Sequence, residues 1–152
     1  EIQRAKRFQH HMAVLIFDLD KFKRINDTLG HPYGDYVIQT VAKIMSKNVR
    51  TVDVVARYGG EEFAIILINT TAKMAMVVAQ RIVNNIADYP FSMDGSEVTM
   101  TISGGMAEYP THSEDMKELI KLSDQAMYDA KQKGGNGILI HGYEENATIV
   151  GD

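Results

Sequence analysis

Two short stretches carry the side chains best suited to chemistry. In FDLD an apolar run ends on Asp18, Leu19 and Asp20, and in RYGGEEF (57–63) two glycines precede Glu61 and Glu62. A carboxylate at the end of a buried run needs a cation, either a basic side chain or a metal. If the strand carrying Asp18 neighbours the segment carrying Glu61, two or three carboxylates meet at one sheet edge. Hard oxygen ligands of that kind suit Mg2+, which commonly takes one or two carboxylates and completes its shell with water and substrate phosphate. The helix after Asp20 adds a second component. Its first turn presents the backbone N–H groups of Lys21, Phe22 and Lys23, and a helix N-terminus receives phosphate. A metal beside a phosphate cradle points to a nucleoside triphosphate. The pattern G-x-x-x-x-G-K-[ST] is absent, so the site is not of the P-loop kind. Plainer uses also exist: Asp20 as an N-cap of the helix, and Asp18 in a salt bridge to an arginine.

These residues must be held by the surrounding elements. Residues 12–18 (MAVLIFD) read as a buried strand, and 20–30 as a helix ending at Gly30. Residues 36–49 place Val37, Val41, Ile44 and Met45 at helical spacing. Strands at 53–56 and 64–68 flank Gly59-Gly60, the signal of a tight hairpin whose type I′ turn takes positive φ at both central positions. Residues 72–86 put Ala75, Val78, Ala79, Ile82 and Ile86 on one helix face. Residues 91–103 read as a second hairpin, with Asp94-Gly95 as its turn and Val98, Met100 and Ile102 alternating. Residues 115–133 form a helix with Leu119, Leu122, Ala126 and Ala130 inward, and 137–140 a last strand. Hairpins mixed with crossovers predict an α/β fold of the α+β kind: a mixed, mainly antiparallel central sheet flanked by helices.

The chain has 152 residues, 45% hydrophobic and 24% charged, which suits one domain with a full core. A net charge of −4 argues against sequence-independent nucleic-acid binding, so no DNA partner is expected and any phosphate affinity must be local. The absence of cysteine excludes disulfides and thiolate zinc sites and fits a reducing compartment. No apolar run approaches about 18 residues, so no direct membrane insertion is expected. The chain opens as if inside a helix, with Ile2, Ala5 and Phe8 on one face and no capping residue. The expectation is a single cytoplasmic domain over 1–152, cut from a larger, sensor-linked protein in which any membrane anchor lies upstream.

DLDKFKRINDTLGHPYGD followed by RYGGEEF resembles the GGDEF domain of diguanylate cyclases, in its GGEEF variant. The likeness runs from the first strand to AKQKGGN. It implies a fold like the palm of nucleotidyl cyclases and polymerases. The implied reaction condenses two GTP into cyclic di-GMP with release of two pyrophosphates, using Mg2+ or Mn2+. A ribose 3′-hydroxyl attacks an α-phosphate, assisted by two metals. By this resemblance Asp18, the backbone carbonyl of Leu19 and Glu61 are metal ligands, and Glu61 or Glu62 takes the hydroxyl proton. Lys23 and Lys131 contact the phosphates, Asn26 and Asp35 read guanine, and His31 lies near the nucleotide. Guanine offers N1–H and N2–H2 as adjacent donors to an ionised Asp35, whereas adenine turns an acceptor toward it. GTP is therefore favoured over ATP.

The family usually reads A-K-x-x-G-R-N, and Gly135 stands here where the arginine does. Weaker GTP affinity, rather than inactivity, is expected, with Lys133 as the substitute cation. Two nucleotides must face each other, which implies a homodimer about a two-fold axis. RTVD, from Arg50 to Asp53, matches the R-x-x-D product-inhibition motif, and Arg81 matches a helix arginine that completes this site from a neighbouring protomer. Two rivals stand beside the enzyme. One is a module that senses GTP or cyclic di-GMP without turnover, favoured by Gly135 and opposed by the intact acidic motif. The other is a dimerisation domain with a fortuitous acidic turn.

Overall fold

A computed structural model describes residues 1–142; residues 143–152 of the expected domain lie outside the described residues. The elements run α1 (Ile2–Phe8), β1 (Met12–Leu19), α2 (Phe22–Leu29), α3 (His31–Lys47), β2 (Val54–Arg57), β3 (Glu62–Ile68), α4 (Ala72–Asp88), β4 (Phe91–Met93), β5 (Ser96–Val98), β6 (Ile102–Tyr109), α5 (Met116–Gln132) and β7 (Gly137–Ile140). The main sheet has the order β2-β3-β1-β6-β7, antiparallel except for the parallel β6–β7 pair. β4 and β5 form a separate two-stranded sheet. The expected mixed, mainly antiparallel sheet flanked by helices is therefore present. Among the described residues no helix is long and apolar enough to cross a membrane.

β1 is the middle strand, and helices cover both of its faces. Ala13, Leu15, Phe17 and Leu19 point into a core with Phe22 and Ile25 of α2, Val37, Val41 and Met45 of α3, and Ala75, Ala79, Ile82 and Ile86 of α4. Met12 and Val14 point the other way, to Ala5 of α1 and Leu119 of α5. A strand covered on both faces loses polar alternation, which is why MAVLIF is uniformly apolar. Two glycines of β6 let its neighbours approach. A Cβ on Gly104 would lie 2.5 Å from the Phe17 ring, and one on Gly105 would lie 2.1 Å from the Ser123 carbonyl oxygen of α5.

Several expected boundaries are corrected. Val98, Met100 and Ile102 do not share one strand: Val98 pairs with Phe91 in the small sheet, while Ile102 pairs with Leu19 in the main sheet. The Gly104-Gly105 pair, poor in strand propensity, conceals β6 in the sequence. α3 starts at His31 rather than at residue 36. Pro32 suits a helix start, and Gly34, ordinarily unfavourable inside a helix, hides the first turns. The link between β2 and β3 spans 58–61, and neither Gly59 nor Gly60 has positive φ, so it is not a type I′ turn. Tyr58 N and Gly59 N both donate to the Glu62 carbonyl, at 2.8 and 3.2 Å. Phe8, placed on an apolar face by its spacing, is 55% exposed.

Candidate active site

The sheet gathers the acidic residues at one edge. β1 ends where β3 and β6, both antiparallel to it, begin. Asp18 faces Glu62 on one side and Ser103 on the other, and Leu19 N donates to the Glu61 carbonyl at 3.2 Å. β7 begins beside Ser103 at Gly137. The D-x-D spacing then acts: residues two apart on an extended chain share a face, here the face covered by α5. Lys131, in the last turn of α5, lays its Nζ 2.9 Å from Asp18 Oδ1, 3.1 Å from Asp20 Oδ1 and 3.4 Å from the Leu19 carbonyl oxygen. The salt bridge considered for Asp18 exists, and its cation is this lysine.

Asp20 does not cap α2. The cap position belongs to Lys21, at φ 56°, with no side-chain cap. Asp20 instead accepts from Thr101 Oγ1 at 2.7 Å, Ser103 Oγ at 2.7 Å and Asn136 N at 2.9 Å, besides Lys131. Burial works to raise its pKa, but the bonds from Thr101, Ser103, Asn136 and Lys131 outweigh burial and hold it below the ordinary value. Lys131 shows the mirror case: burial pulls it down, and the bonds to Asp18 and Asp20 more than restore it. Gly135, at φ 75°, packs against this carboxylate, and a Cβ there would lie 2.9 Å from Asp20 Oδ2. An arginine at Gly135 would therefore be strained in this chain.

Glu61 and Glu62 complete the acidic edge. Both are half-buried, and both carboxyl pKa values are raised, first by burial and then by the Asp18 charge. Like charges directly opposite on neighbouring strands are unfavourable, and Lys131 is the cation that Asp18 meets against the charges of Glu61 and Glu62. No preassembled cage of three or more acidic, histidine or cysteine side chains occurs among the described residues. Mg2+ does not require one, since water and phosphate fill most of its shell. The hard oxygens of Asp18, Leu19 and Glu61 fit a divalent cation: with Glu62 they set three carboxylates and one carbonyl against a single lysine.

Beside this edge lies a cleft of about 510 Å3 lined by Phe22, Lys23, Asn26, His31, Asp35 and Glu61, with Ile38, Arg57 and Gly60. Six residues expected at a nucleotide thus share one cavity. Gly34 is part of the construction: a Cβ there would sit 2.0 Å from Asn26 Oδ1, so only glycine leaves room for that amide. Two expected residues lie elsewhere. Lys21 lines a second cleft of about 660 Å3 with Asp20, Arg24, Thr101 and Gly134, and Lys131 sits on the carboxylates. Sequence reasoning missed Arg57, whose guanidinium donates to the carbonyls of Gly59 at 3.2 Å and Gly60 at 2.6 Å and so shapes the loop before Glu61. It also missed the anchoring role of Asp20. The available signals were the position of Arg57 in RYGGEEF and the D-x-D period.

Arg50 and Asp53 pair with each other. Arg50 Nε and Nη2 donate to the two Asp53 carboxylate oxygens at 3.2 and 3.0 Å, and Asp53 Oδ1 also accepts from Ile68 N at 3.0 Å. Arg50 further donates to the Ile68 carbonyl and to Thr70 Oγ1. Burial raises the Asp53 pKa, but its bonds to Arg50 and Ile68 leave it below the ordinary value. Arg81 is not in this pair: it donates to the Asn48 side-chain oxygen at 2.9 Å and to the Asn48 carbonyl at 2.8 Å.

Known proteins resemble this chain in sequence and fold. The family described as "Diguanylate cyclase, GGDEF domain" matches residues 1–137. Diguanylate cyclase A of Treponema denticola is 42% identical over 129 residues, covering 85% of this chain and 35% of that protein. The active GGEEF domain of a diguanylate cyclase from Vibrio cholerae superposes with a TM-score of 0.85 at 33% identity, covering 91% of this chain and 88% of that one. The GGDEF domain of DgcB from Caulobacter crescentus, in complex with c-di-GMP, gives a TM-score of 0.85 at 29% identity, covering 91% and 82%. The chain spans about a third of the length of the curated relatives it matches. With the acidic sheet edge, the adjoining cleft and these likenesses together, the chain belongs to the GGDEF domain family of diguanylate cyclases.

Proposed function

We propose that this chain is the catalytic domain of a longer diguanylate cyclase, condensing two GTP into cyclic di-GMP and two pyrophosphates. The observation that carries the reading is the convergence of Asp18, Glu61 and Glu62 on one sheet edge beside a cleft lined by Lys23, Asn26 and Asp35. Asp18, the Leu19 carbonyl and Glu61 would hold Mg2+ or Mn2+. A divalent ion bound there makes a coordinated hydroxyl a better nucleophile and neutralises phosphate charge. The chain's own residues do the rest. Lys23, with the N–H groups that open α2, holds the triphosphate. Asn26 and Asp35 fix the guanine, and His31 flanks it. Glu62 stands opposite Asp18 and, with its raised pKa, is suited to accept the 3′-hydroxyl proton. Glu61 lines the cleft and serves best as a ligand.

One cleft holds one nucleotide, so turnover needs two copies facing each other about a two-fold axis. Product inhibition at Arg50 and Asp53, with Arg81 from a neighbour, is part of the same reading; a bidentate arginine grips guanine or phosphate. It requires Arg50 to exchange its bonds to Asp53 for bonds to the ligand. The c-di-GMP complex of the DgcB domain supports a nucleotide site on this fold.

The test is a product assay on the concentrated chain with Mg2+ and either GTP or ATP, resolved by chromatography. Cyclic di-GMP from GTP alone, lost in Glu61→Ala and Glu62→Ala, is the expected result. Inhibition by added product that persists in Arg50→Ala would remove the product site from the reading. Binding of GTP without product, even when the chain is fused to a dimeriser, would replace the enzyme by a sensing module.

A further inference from the structure

We propose that Lys131 is a built-in stand-in for the metal, holding the cation position until a divalent ion displaces it. The ligand assignments rest on the cyclase reading; the lysine's place does not. Its ammonium touches three oxygens: Asp18 Oδ1 at 2.9 Å, Asp20 Oδ1 at 3.1 Å and the Leu19 carbonyl at 3.4 Å. An ammonium has three donors and no acceptor, so this is a full complement. Two of the three oxygens, those of Asp18 and Leu19, are the proposed metal ligands. A compact cation on a lone pair excludes a second one from it.

The third oxygen shows that the lysine can leave. Asp20 Oδ1 also accepts from Ser103 Oγ, and Oδ2 accepts from Thr101 Oγ1 and Asn136 N. When Lys131 withdraws, each Asp20 oxygen keeps a donor, and no buried carboxylate is orphaned. Asp18 has no such reserve among the described residues, because its cross-strand neighbour is Glu62 and Glu61 lies beside it. Asp18 is thus the oxygen that must have a cation, and Asp20 is the anchor that keeps the resident one nearby. Lys131 is partly exposed, with 28% of its side chain open to solvent, and its four-carbon stem gives it reach.

Two consequences follow from one cation replacing another. Metal without nucleotide binds weakly, because it must break three contacts of Lys131. A metal–triphosphate complex brings both the replacement charge and new acceptors for the released ammonium, so metal and nucleotide each tighten the binding of the other.

The experiment is a Mn2+ titration of the nucleotide-free chain followed by electron paramagnetic resonance. Lys131→Met is expected to bind Mn2+ roughly tenfold or more tightly than the unaltered chain, the weight of a displaced charge-assisted contact. Lys131→Arg, which keeps the charge, should stay near the unaltered affinity. Mn2+ affinity equal or lower in Lys131→Met overturns the proposal, because a lysine that only contacted phosphate would leave metal-alone affinity unmoved. A second measurement needs no variant. A short acetylation pulse, read by mass spectrometry, should label Lys131 faster when Mn2+ is added, relative to Lys43 on the surface of α3. Unchanged or slower labelling overturns it equally. Neither readout involves GTP, so failure of the cyclase reading in the product assay remains distinguishable from failure of this one.

Discussion

In the proposed reading Asp35 and Asn26 divide the recognition of the base between two helices, and Gly34 leaves the room that Asn26 occupies beside α3. Asp35 is exposed at the cleft wall while Asn26 packs against the Gly34 backbone. The carboxylate's value lies in matching two adjacent donors, so Asp35→Ala is expected to weaken GTP binding by about 1.5–3 kcal/mol and leave ATP binding nearly unchanged. Competition titrations with the two nucleotides check this; equal losses for both would remove Asp35 as the reader. At this scale most of the site was legible, because Asp18, Glu61, Lys23 and Asp35 sit in two contiguous motifs whose chemistry is local. Asp20 was misread as a cap because its partners Thr101, Ser103 and Asn136 come from segments far along the chain. No local rule announces a carboxylate whose donors are all distant.

At the scale of elements, β6 and α5 meet closely because Gly105 has no side chain. Ser123 Oγ donates to the Val14 carbonyl at 2.9 Å and so ties α5 to β1 as well. Gly105→Ala would push a methyl group into the α5 backbone, at the Ser123 carbonyl and the Met127 nitrogen. The helix must shift, and a loss of about 1–3 kcal/mol or more in folding stability is expected, measured by denaturant unfolding. Because Lys131 rides on the same helix, the variant should also lose activity beyond its loss of folded fraction. The helices and outer strands were readable from periodicity, as Ala75, Ala79, Ile82 and Ile86 show. The break at 99–101 and the early start of α3 were not. In both places the tertiary partner decides the boundary: Leu19 for Ile102, and Asn26 for Gly34.

Across the whole molecule, the end of the sheet away from the nucleotide cleft is closed by one buried acid. Glu108 accepts from His11 at 2.6 Å, from Thr111 Oγ1 at 2.9 Å and from the first N–H of α4, at Ala72, at 2.8 Å. Burial raises its pKa, but the bonds from Ala72, Thr111 and His11 leave it below the ordinary value. The sign follows: an acid with a lowered folded-state pKa contributes stability above its unfolded pKa and loses it as pH falls through the folded one. Glu108→Gln is expected to destabilise the chain by about 1–3 kcal/mol at neutral pH. The gap to the unaltered chain should shrink as pH falls below about 4.3, the unfolded glutamate value. Denaturant midpoints at pH 7 and in the acid range read this directly, and a gap constant with pH would rule it out.

The outermost strands of the main sheet, β2 and β7, are four residues each, while the three between them have seven or eight. Such short margins are poor templates for strand addition. Two copies of this chain are therefore not built to join into one continuous sheet. In the proposed dimer the clefts, rather than the sheet margins, would be the parts that face each other.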